Sequence, residues 1–201
     1  MNDNINIDEN HIYRLGTRRL PSVTQAIQAN FGERLTEWHV GERFYWTEWH
    51  AGKGTAVHKA IHYLLEGVLD WGTVDVRILG KLKAFVKFIS ETGYEVMHSE
   101  LMLHSKRYQF AGTIDLILHN DHLILGDIKS SLEPYVEIQL GGYSLLWEEK
   151  YNSKIKKACA IVLGDNGTYS LKWYKNIKQA QRLFLACLTI ANFKTLHYDK
   201  T

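Results

Sequence analysis

The chain has 201 residues, a formal net charge of +2 and a hydrophobic fraction of 45%. This length and composition fit one globular domain with a sizeable core, residues 1–201, and the charge alone does not indicate a nucleic-acid partner. Two cysteines are too few for a disulfide scaffold or a four-thiolate iron–sulphur cluster, so we expect neither. Because no run of about 18 apolar residues occurs, we expect no membrane span. The low cysteine count fits a reducing setting, so we expect a cytoplasmic or other intracellular location.

The first part of the chain predicts helices that follow a loose tail. The tail, residues 1–12, is polar and acidic and does not resemble a signal peptide. A helix should begin after Pro21, with Ser22 or Thr24 as its N-cap. The segment Gly52-Lys-Gly54 is expected to interrupt the helical pattern. Helical composition or spacing covers residues 33–50, 55–69 and 74–92.

The second part of the chain alternates strands and helices. Strands are predicted over 94–104, 108–119 and 122–129, a helix over 135–149, strands over 158–163 and 168–174, and a last helix over 177–193. This order gives residues 74–201 an αβββαβ-type core. We therefore predict an α/β fold with a mixed central sheet flanked by helices, and an N-terminal helical layer over 13–73.

Three charged residues lie in two apolar strands of this predicted sheet. Asp115 is in the run from Phe110 to His119, and Asp127 and Lys129 follow in the next run. Because side chains alternate along a strand, Asp127 and Lys129 should point the same way, and Asp115 should join them on one sheet face. Buried charges need partners, and carboxylate oxygens suit Mg²⁺ or Mn²⁺. Alternatively, Asp115 could be an exposed residue of an edge strand, and Asp127 and Lys129 could form a surface ion pair.

The order of several motifs resembles the PD-(D/E)XK nuclease superfamily. Gly112-Thr-Ile-Asp115 followed by Asp127-Ile-Lys129 is similar to that family's mid-strand aspartate and Asp/Glu-x-Lys strand end. His58 and the segment Gln139-Leu-Gly-Gly-Tyr143 resemble the upstream histidine and the Gln-x-x-x-Tyr motif of the RecB-like exonuclease branch. Leu20-Pro-Ser-Val-Thr24 is similar to a segment of phage-type and mitochondrial genome-maintenance exonucleases.

This resemblance implies a restriction-endonuclease-like fold and a phage-like, metal-dependent deoxyribonuclease of DNA recombination or repair. The expected activity is exonuclease hydrolysis of single strands or DNA ends by water that two Mg²⁺ or Mn²⁺ ions activate. The expected catalytic residues are Asp115, Asp127 and Lys129. The expected metal ligands are His58, Asp115, Asp127, the Ile128 carbonyl and Glu100, and the expected substrate contacts are Gln139, Tyr143 and Ser130.

Four other functions stay open at this point. The same fold is compatible with a structure-specific or nicking endonuclease, with RNA cleavage, and with a non-catalytic DNA-binding protein. A zinc hydrolase is also open, because His58 and His62 are one helical turn apart. Its third ligand would come from His98, His104, His119 or His122.

Two basic clusters complete the sequence-level picture. One comprises Arg14, Arg18 and Arg19, and the other comprises Lys150, Lys154, Lys156 and Lys157. Either could contact phosphates or be solvated surface charge.

Overall fold

The computed structural model describes residues 5–8, 12–37 and 48–197. The strands are β1 (Ile5–Ile7), β2 (Tyr13–Leu15), β3 (Arg18–Leu20), β4 (Glu95–Ser105), β5 (Phe110–His119), β6 (Leu123–Lys129), β7 (Lys157–Leu163) and β8 (Tyr169–Tyr174). The helices are α1 (Val23–Glu37), α2 (Glu48–Leu65), α3 (Val76–Thr92), α4 (Val136–Tyr151) and α5 (Ile177–His197), with a short 3-10 helix at Trp71–Thr73.

A five-stranded mixed sheet in the order β4-β5-β6-β7-β8 lies at the centre of the fold. Only β6 and β7 are parallel, since α4 carries the chain back across the sheet between them. One core, which includes Ile114, Leu125 and Phe184, lies between the sheet and α1, α4 and α5. The other, which includes Phe85 and Leu118, lies between the sheet and α2 and α3. The predicted mixed sheet flanked by helices is confirmed.

The N-terminal region contains the helices α1 and α2, but it begins with a small sheet that we did not expect. β1, β2 and β3 form a three-stranded antiparallel sheet, called the N-terminal ribbon below. A strand therefore replaces part of the predicted loose tail, and residues 13–15 and 18–20 are extended. The local sequence explains this, because Tyr13 and Leu20 are buried while Arg14 and Arg19 between them are exposed, a period of two. Gly16, at φ 61°, makes the tight turn between β2 and β3.

The helix α2 begins earlier than predicted. It runs through Gly52 and Gly54, which were expected to interrupt it. A helical glycine costs about 1 kcal/mol relative to alanine, and the buried side chains of Val57 and Ile61 hold the helix against the sheet. Part of the helix predicted over 33–50 falls on 38–47, outside the described residues. In the described part of the chain, no helix has the length and apolar character to cross a membrane.

A capping box begins α1 and joins it to the central sheet. The Ser22 Oγ accepts a hydrogen bond of 2.9 Å from the Gln25 N–H, and the Gln25 Oε1 accepts one of 3.1 Å from the Ser22 N–H. Ser22, rather than Thr24, is thus the N-cap. The preceding Pro21 carbonyl accepts a hydrogen bond of 3.0 Å from the Ala111 N–H. This contact ties the end of the N-terminal ribbon to β5.

Candidate metal and active site

The strands β5 and β6 diverge at the candidate site. Their pairing runs from His119 and Leu123 to Leu116 and Gly126, and it stops there. Asp115 is the next residue along β5, and its Oδ2 accepts a hydrogen bond of 2.7 Å from the backbone N–H of Ile128. The Asp115 carboxylate therefore bridges the space that opens between the two strands.

The alternation of side chains on β5 breaks at Asp115. Ile114 packs in the core beneath α4, whereas Leu116, two residues later, packs in the core beneath α2 and α3. Regular pleating would place both on the same face. The irregularity lies at Asp115, whose side chain contacts His58 of α2.

The neighbouring strand β4 turns over at the same level. Leu101 packs against the core beneath α4, but Ser99 bonds His62 of α2 with 2.7 Å between the Oγ and Nδ1 atoms. Glu100 between them has φ 51°, a left-handed conformation that is uncommon for a non-glycine residue. Since Ser99 pairs with Leu116 and Leu101 with Ile114, the register places Glu100 opposite Asp115. Strained backbone of this kind often lies at functional sites.

His58 of α2 completes a cluster of ligand atoms. Its Nδ1 lies 3.2 Å from the Glu100 Oε1 and 3.4 Å from the Asp115 Oδ1. One ligand atom from each of the three residues lies within 4.8 Å of the others, a spacing that could hold a metal ion. Burial disfavours the charged imidazole, but the charges and hydrogen bonds of Asp115 and Glu100 outweigh it and hold the His58 pKa well above its usual range.

Asp127 and Lys129 form a second charged pair beside this cluster. The Lys129 Nζ lies 2.7 Å from the Asp127 Oδ2, in line with the expected alternation on β6. Alternation from the buried Leu125 places both on the side of the sheet that α4 covers, whereas Asp115 contacts His58 of α2. That all three charges share one face stays a prediction, because the alternation on β5 is irregular at Asp115.

The Asp127–Lys129 pair and the cluster of His58, Glu100 and Asp115 influence each other's pKa values through their charges. Burial raises the pKa of Asp127 to about 6. The Lys129 charge opposes this rise, and the Asp115 charge adds to it. Burial also raises the pKa of Asp115, but the His58 and Lys129 charges and the Ile128 N–H outweigh it and lower that pKa. For Lys129, the nearby carboxylates outweigh burial and raise the pKa of the ammonium. Lys129 is thus held charged in a buried setting.

Asp127 has unused ligand capacity. It is 1% exposed, and neither oxygen accepts a hydrogen bond of normal geometry from the described residues, although the Lys129 ammonium is close. Buried carboxylate oxygens without such partners are rare in folded proteins, and a bound cation can satisfy them. Asp127 does not, however, belong to the group of ligand atoms formed by His58, Glu100 and Asp115.

Gln139 and Tyr143 lie on α4 and are both buried. The Gln139 Nε2 donates a hydrogen bond of 3.0 Å to the Tyr143 Oη. Burial and the charges of Asp115 and Asp127 hold the Tyr143 pKa well above its usual range. Because the two side chains are inside the fold, their burial favours support of the carboxylates over direct contact with a substrate.

The remaining expected site residues occupy different positions. Ser130 follows β6 and is exposed, with no side-chain hydrogen bond to another described residue. Ile128 takes part through its N–H, and ligation by its carbonyl stays a prediction. For the zinc alternative, His62 bonds Ser99, and the His98 ring packs against Trp147 in a tilted arrangement. Among the described residues, none of the further histidines joins His58 in the cluster.

Tyr13 is a site neighbour that the sequence analysis did not identify. Its Oη lies 2.8 Å from the Thr113 Oγ1, two residues before Asp115. Burial raises the pKa of Tyr13, and the charges of Glu100 and Asp115 raise it further. The sequence signal for this position is the alternation of Tyr13 and Arg14, but it covers too few residues to identify a strand.

Comparisons with known proteins reveal similarity only at the level of structure. No family model and no curated protein matches the chain. A crystal structure from Eubacterium rectale, whose exonuclease assignment is itself provisional, is similar with a TM-score of 0.53 and 9% identity, and covers 87% of this chain and 82% of its own. At this identity the likeness shows a shared fold alone.

Two structures of an alkaline exonuclease from Laribacter hongkongensis, LHK-Exo, are more distant. The first has a TM-score of 0.38 at 12% identity and covers 77% of this chain and 86% of its own. The second, in complex with dAMP, has a TM-score of 0.43 at 12% identity and covers 87% of this chain and 89% of its own. Scores this low carry no further argument.

Proposed function

We propose that the protein is a metal-dependent nuclease of the PD-(D/E)XK type, an exonuclease that hydrolyses DNA phosphodiester bonds in recombination or repair. The observation that carries the proposal is the cluster of His58, Glu100 and Asp115 beside the Asp127–Lys129 pair. The order of these residues in the sequence resembles that nuclease superfamily, and the fold is that of a structure assigned as an exonuclease.

The donor set fits a hard divalent cation. Two carboxylates and one imidazole converge, and the Asp127 oxygens next to them lack hydrogen bonds of normal geometry in the described structure. Carboxylate oxygens suit Mg²⁺ and Mn²⁺, and the imidazole of His58 favours Mn²⁺ somewhat more than an all-oxygen site would. The three-residue cluster is enough for one ion, and Asp127 and the Ile128 carbonyl are the candidates for completing a second position.

In the proposed reaction, the carboxylates hold the metal ions and Lys129 places a positive charge near the phosphate. Such ions supply positive charge against the phosphoryl oxygens and make an attacking water more acidic. Asp115 is fixed by the Ile128 N–H and His58, so its oxygens are oriented before any ligand arrives. Asp127 holds the Lys129 ammonium in place, and 20% of the Lys129 side chain is exposed. We assign Lys129 to orient the water and stabilise negative charge that develops on the phosphate.

The surrounding residues have supporting roles in this proposal. Gln139 and Tyr143 of α4 support the carboxylates from behind, through the hydrogen bond between them. The exposed Ser130 offers a hydroxyl to a phosphate of the substrate. Single-stranded DNA or a DNA end is the substrate that the family resemblance implies.

The test is hydrolysis of labelled linear single-stranded DNA with Mg²⁺ or Mn²⁺. We expect the wild-type protein and Lys178→Ala, a control at an exposed lysine, to degrade the substrate. Asp115→Asn and Lys129→Ala should each lose at least about a hundredfold in rate, as is typical when a group that stabilises transition-state charge is removed. Equal trace activity in all four proteins would leave a non-catalytic, DNA-binding protein on this fold.

A second substrate separates exonuclease from endonuclease action. A circular single strand has no end, so it should survive while its linear form is degraded. Cutting of the circle at the rate of the linear strand contradicts the exonuclease assignment and supports an endonuclease on the same fold. An RNA strand of the same sequence in the same assay measures sugar preference.

A further inference from the structure

The outer face of the N-terminal ribbon is strongly basic. Arg14 of β2 lies directly opposite Arg19 of β3 in the register, and both side chains are exposed. Arg18 is exposed as well, but it pairs with Leu15 and therefore alternates to the other face. Side chains that are directly opposite on neighbouring strands have Cβ atoms about 5 Å apart, and like charges there destabilise the pair. The arrangement therefore has a cost that an anion on this face would offset.

The described residues neutralise little of this charge. Asp8 lies 3.8 Å from Arg14, and both side chains of this pair are solvated. In the described ranges, no carboxylate lies within ion-pair distance of Arg18 or Arg19. Among the described residues, Arg19 on the outer face therefore has no carboxylate partner, and an external anion could take that place.

The inner face of the same ribbon lies against the candidate site. Tyr13, adjacent to Arg14, bonds Thr113, and its pKa is influenced by Glu100 and Asp115. Leu20, adjacent to Arg19, packs with Ala111 of β5. The basic face is therefore one strand layer away from the proposed metal ligands.

The second basic cluster lies elsewhere. Lys154 and Lys156 are exposed and directly precede β7. That strand begins with Lys157 opposite Ile124, at the end of β6 away from Asp127 and Lys129. The two clusters therefore flank different ends of the sheet, and only the arginine cluster adjoins the candidate site.

We propose that the N-terminal ribbon binds the phosphate backbone of the nucleic-acid strand whose end enters the candidate site, through Arg14 and Arg19. Guanidinium groups suit phosphate because their planar donor forks match its oxygens. Contacts of this kind are independent of sequence and sensitive to salt. The proposal rests on the nuclease assignment for the identity of the ligand, and it adds the surface that holds the strand.

The experiment measures binding of a fluorescent single-stranded DNA 20-mer by anisotropy, in EDTA so that nothing is cleaved, over a series of salt concentrations. Arg14→Gln/Arg19→Gln should weaken binding at least about tenfold and reduce the slope of log K against log salt by about 1.4, the value for two lost phosphate contacts on a single strand. Lys154→Gln/Lys156→Gln removes the same charge at the distant cluster and should leave both quantities unchanged. Arg14→Lys/Arg19→Lys keeps the charge and should retain most of the binding.

Equal losses in the arginine and lysine double variants would overturn the proposal, because the effect would then be one of net charge. Failure of the wild-type protein to bind the 20-mer at low salt would overturn it as well. Cleavage is measured separately, so the two proposals fail independently. Ribbon-dependent binding without any hydrolysis removes only the nuclease assignment, whereas hydrolysis with normal binding by the arginine variant removes only the ribbon proposal.

Discussion

The Asp115 carboxylate accepts a hydrogen bond of 2.7 Å from the backbone N–H of Ile128, across the opening between β5 and β6. The bond satisfies a buried N–H beyond the last pair of the β5–β6 ladder, where that strand pairing ends. Asp115 thus has a structural role in addition to its proposed role as a metal ligand. The two roles are separable, because only the second requires the negative charge.

This separation leads to a prediction about stability. Asp115→Ala leaves the Ile128 N–H without its acceptor, and we expect the free energy of unfolding to fall by about 1–3 kcal/mol. Asp115→Asn keeps a carbonyl oxygen at the same place and should retain most of the stability while it loses hydrolysis. Urea unfolding of both variants is the measurement, and equal destabilisation by the two substitutions would contradict the structural role.

Metal binding should distinguish the two histidines of α2. His58 lies in the cluster with Glu100 and Asp115, whereas His62, one turn later, bonds Ser99. We expect His58→Gln to weaken Mn²⁺ binding by at least about tenfold, since an imidazole ligand contributes directly to the site. His62→Gln is the matched control and should change the affinity by less than about threefold.

Isothermal titration of the DNA-free protein with Mn²⁺ measures both affinities. A loss of the same size in both variants would indicate that α2 positions the site as a whole and that His58 is no ligand. Tighter binding in His58→Gln would count against ligation more strongly, because it would mean that the imidazole only repels the ion.

Most of the central sheet could be predicted because its strands are apolar runs separated by turn residues. Asp115, Asp127 and Lys129 stood out for the same reason, as charges inside such runs. The relation of their side chains could not be predicted from strict alternation. β4 and β5 both turn over at the level of Glu100 and Asp115, which directs these carboxylates to α2. That irregularity depends on two strands at once and has no local signature.

The N-terminal ribbon could not be predicted with the same ease, because its strands have only three residues each. Runs this short contain too few positions for a period of two to stand out. Its stability comes from contacts distant in sequence, such as that of Tyr13 with Thr113. Sequence periodicity carries no information about such contacts.

The capping box of α1 gives a third prediction. Ser22→Ala removes the acceptor of the Gln25 N–H and should lower the free energy of unfolding by about 1 kcal/mol. Thr24→Ala, two residues later, should change it by less than about 0.5 kcal/mol, because Thr24 is exposed and is not the cap. Thermal unfolding of the two variants is sufficient. A larger loss for Thr24→Ala than for Ser22→Ala would show that the helix begins differently.

A pair of glycine substitutions tests how closely α3 packs on the turn between β7 and β8. A Cβ atom added at Gly80 would lie 1.7 Å from the Asp165 backbone oxygen, so the helix and the turn must separate to accommodate it. The adjacent Lys81 Nζ donates a hydrogen bond of 2.7 Å to the Leu163 carbonyl, which such a movement would also disturb. Gly80→Ala should therefore lower the free energy of unfolding by at least about 1–3 kcal/mol.

Gly54 of α2 is the matched control for Gly80. It is also a helical glycine, but a Cβ atom added there would meet no described atom within 4 Å. Gly54→Ala should raise the free energy of unfolding by up to about 1 kcal/mol, because alanine has the higher helix propensity. Opposite signs in urea unfolding are the expected result. Stabilisation by both substitutions would mean that α3 does not approach the Asp165 backbone this closely, and destabilisation by both would mean that α2 is not a continuous helix through Gly54.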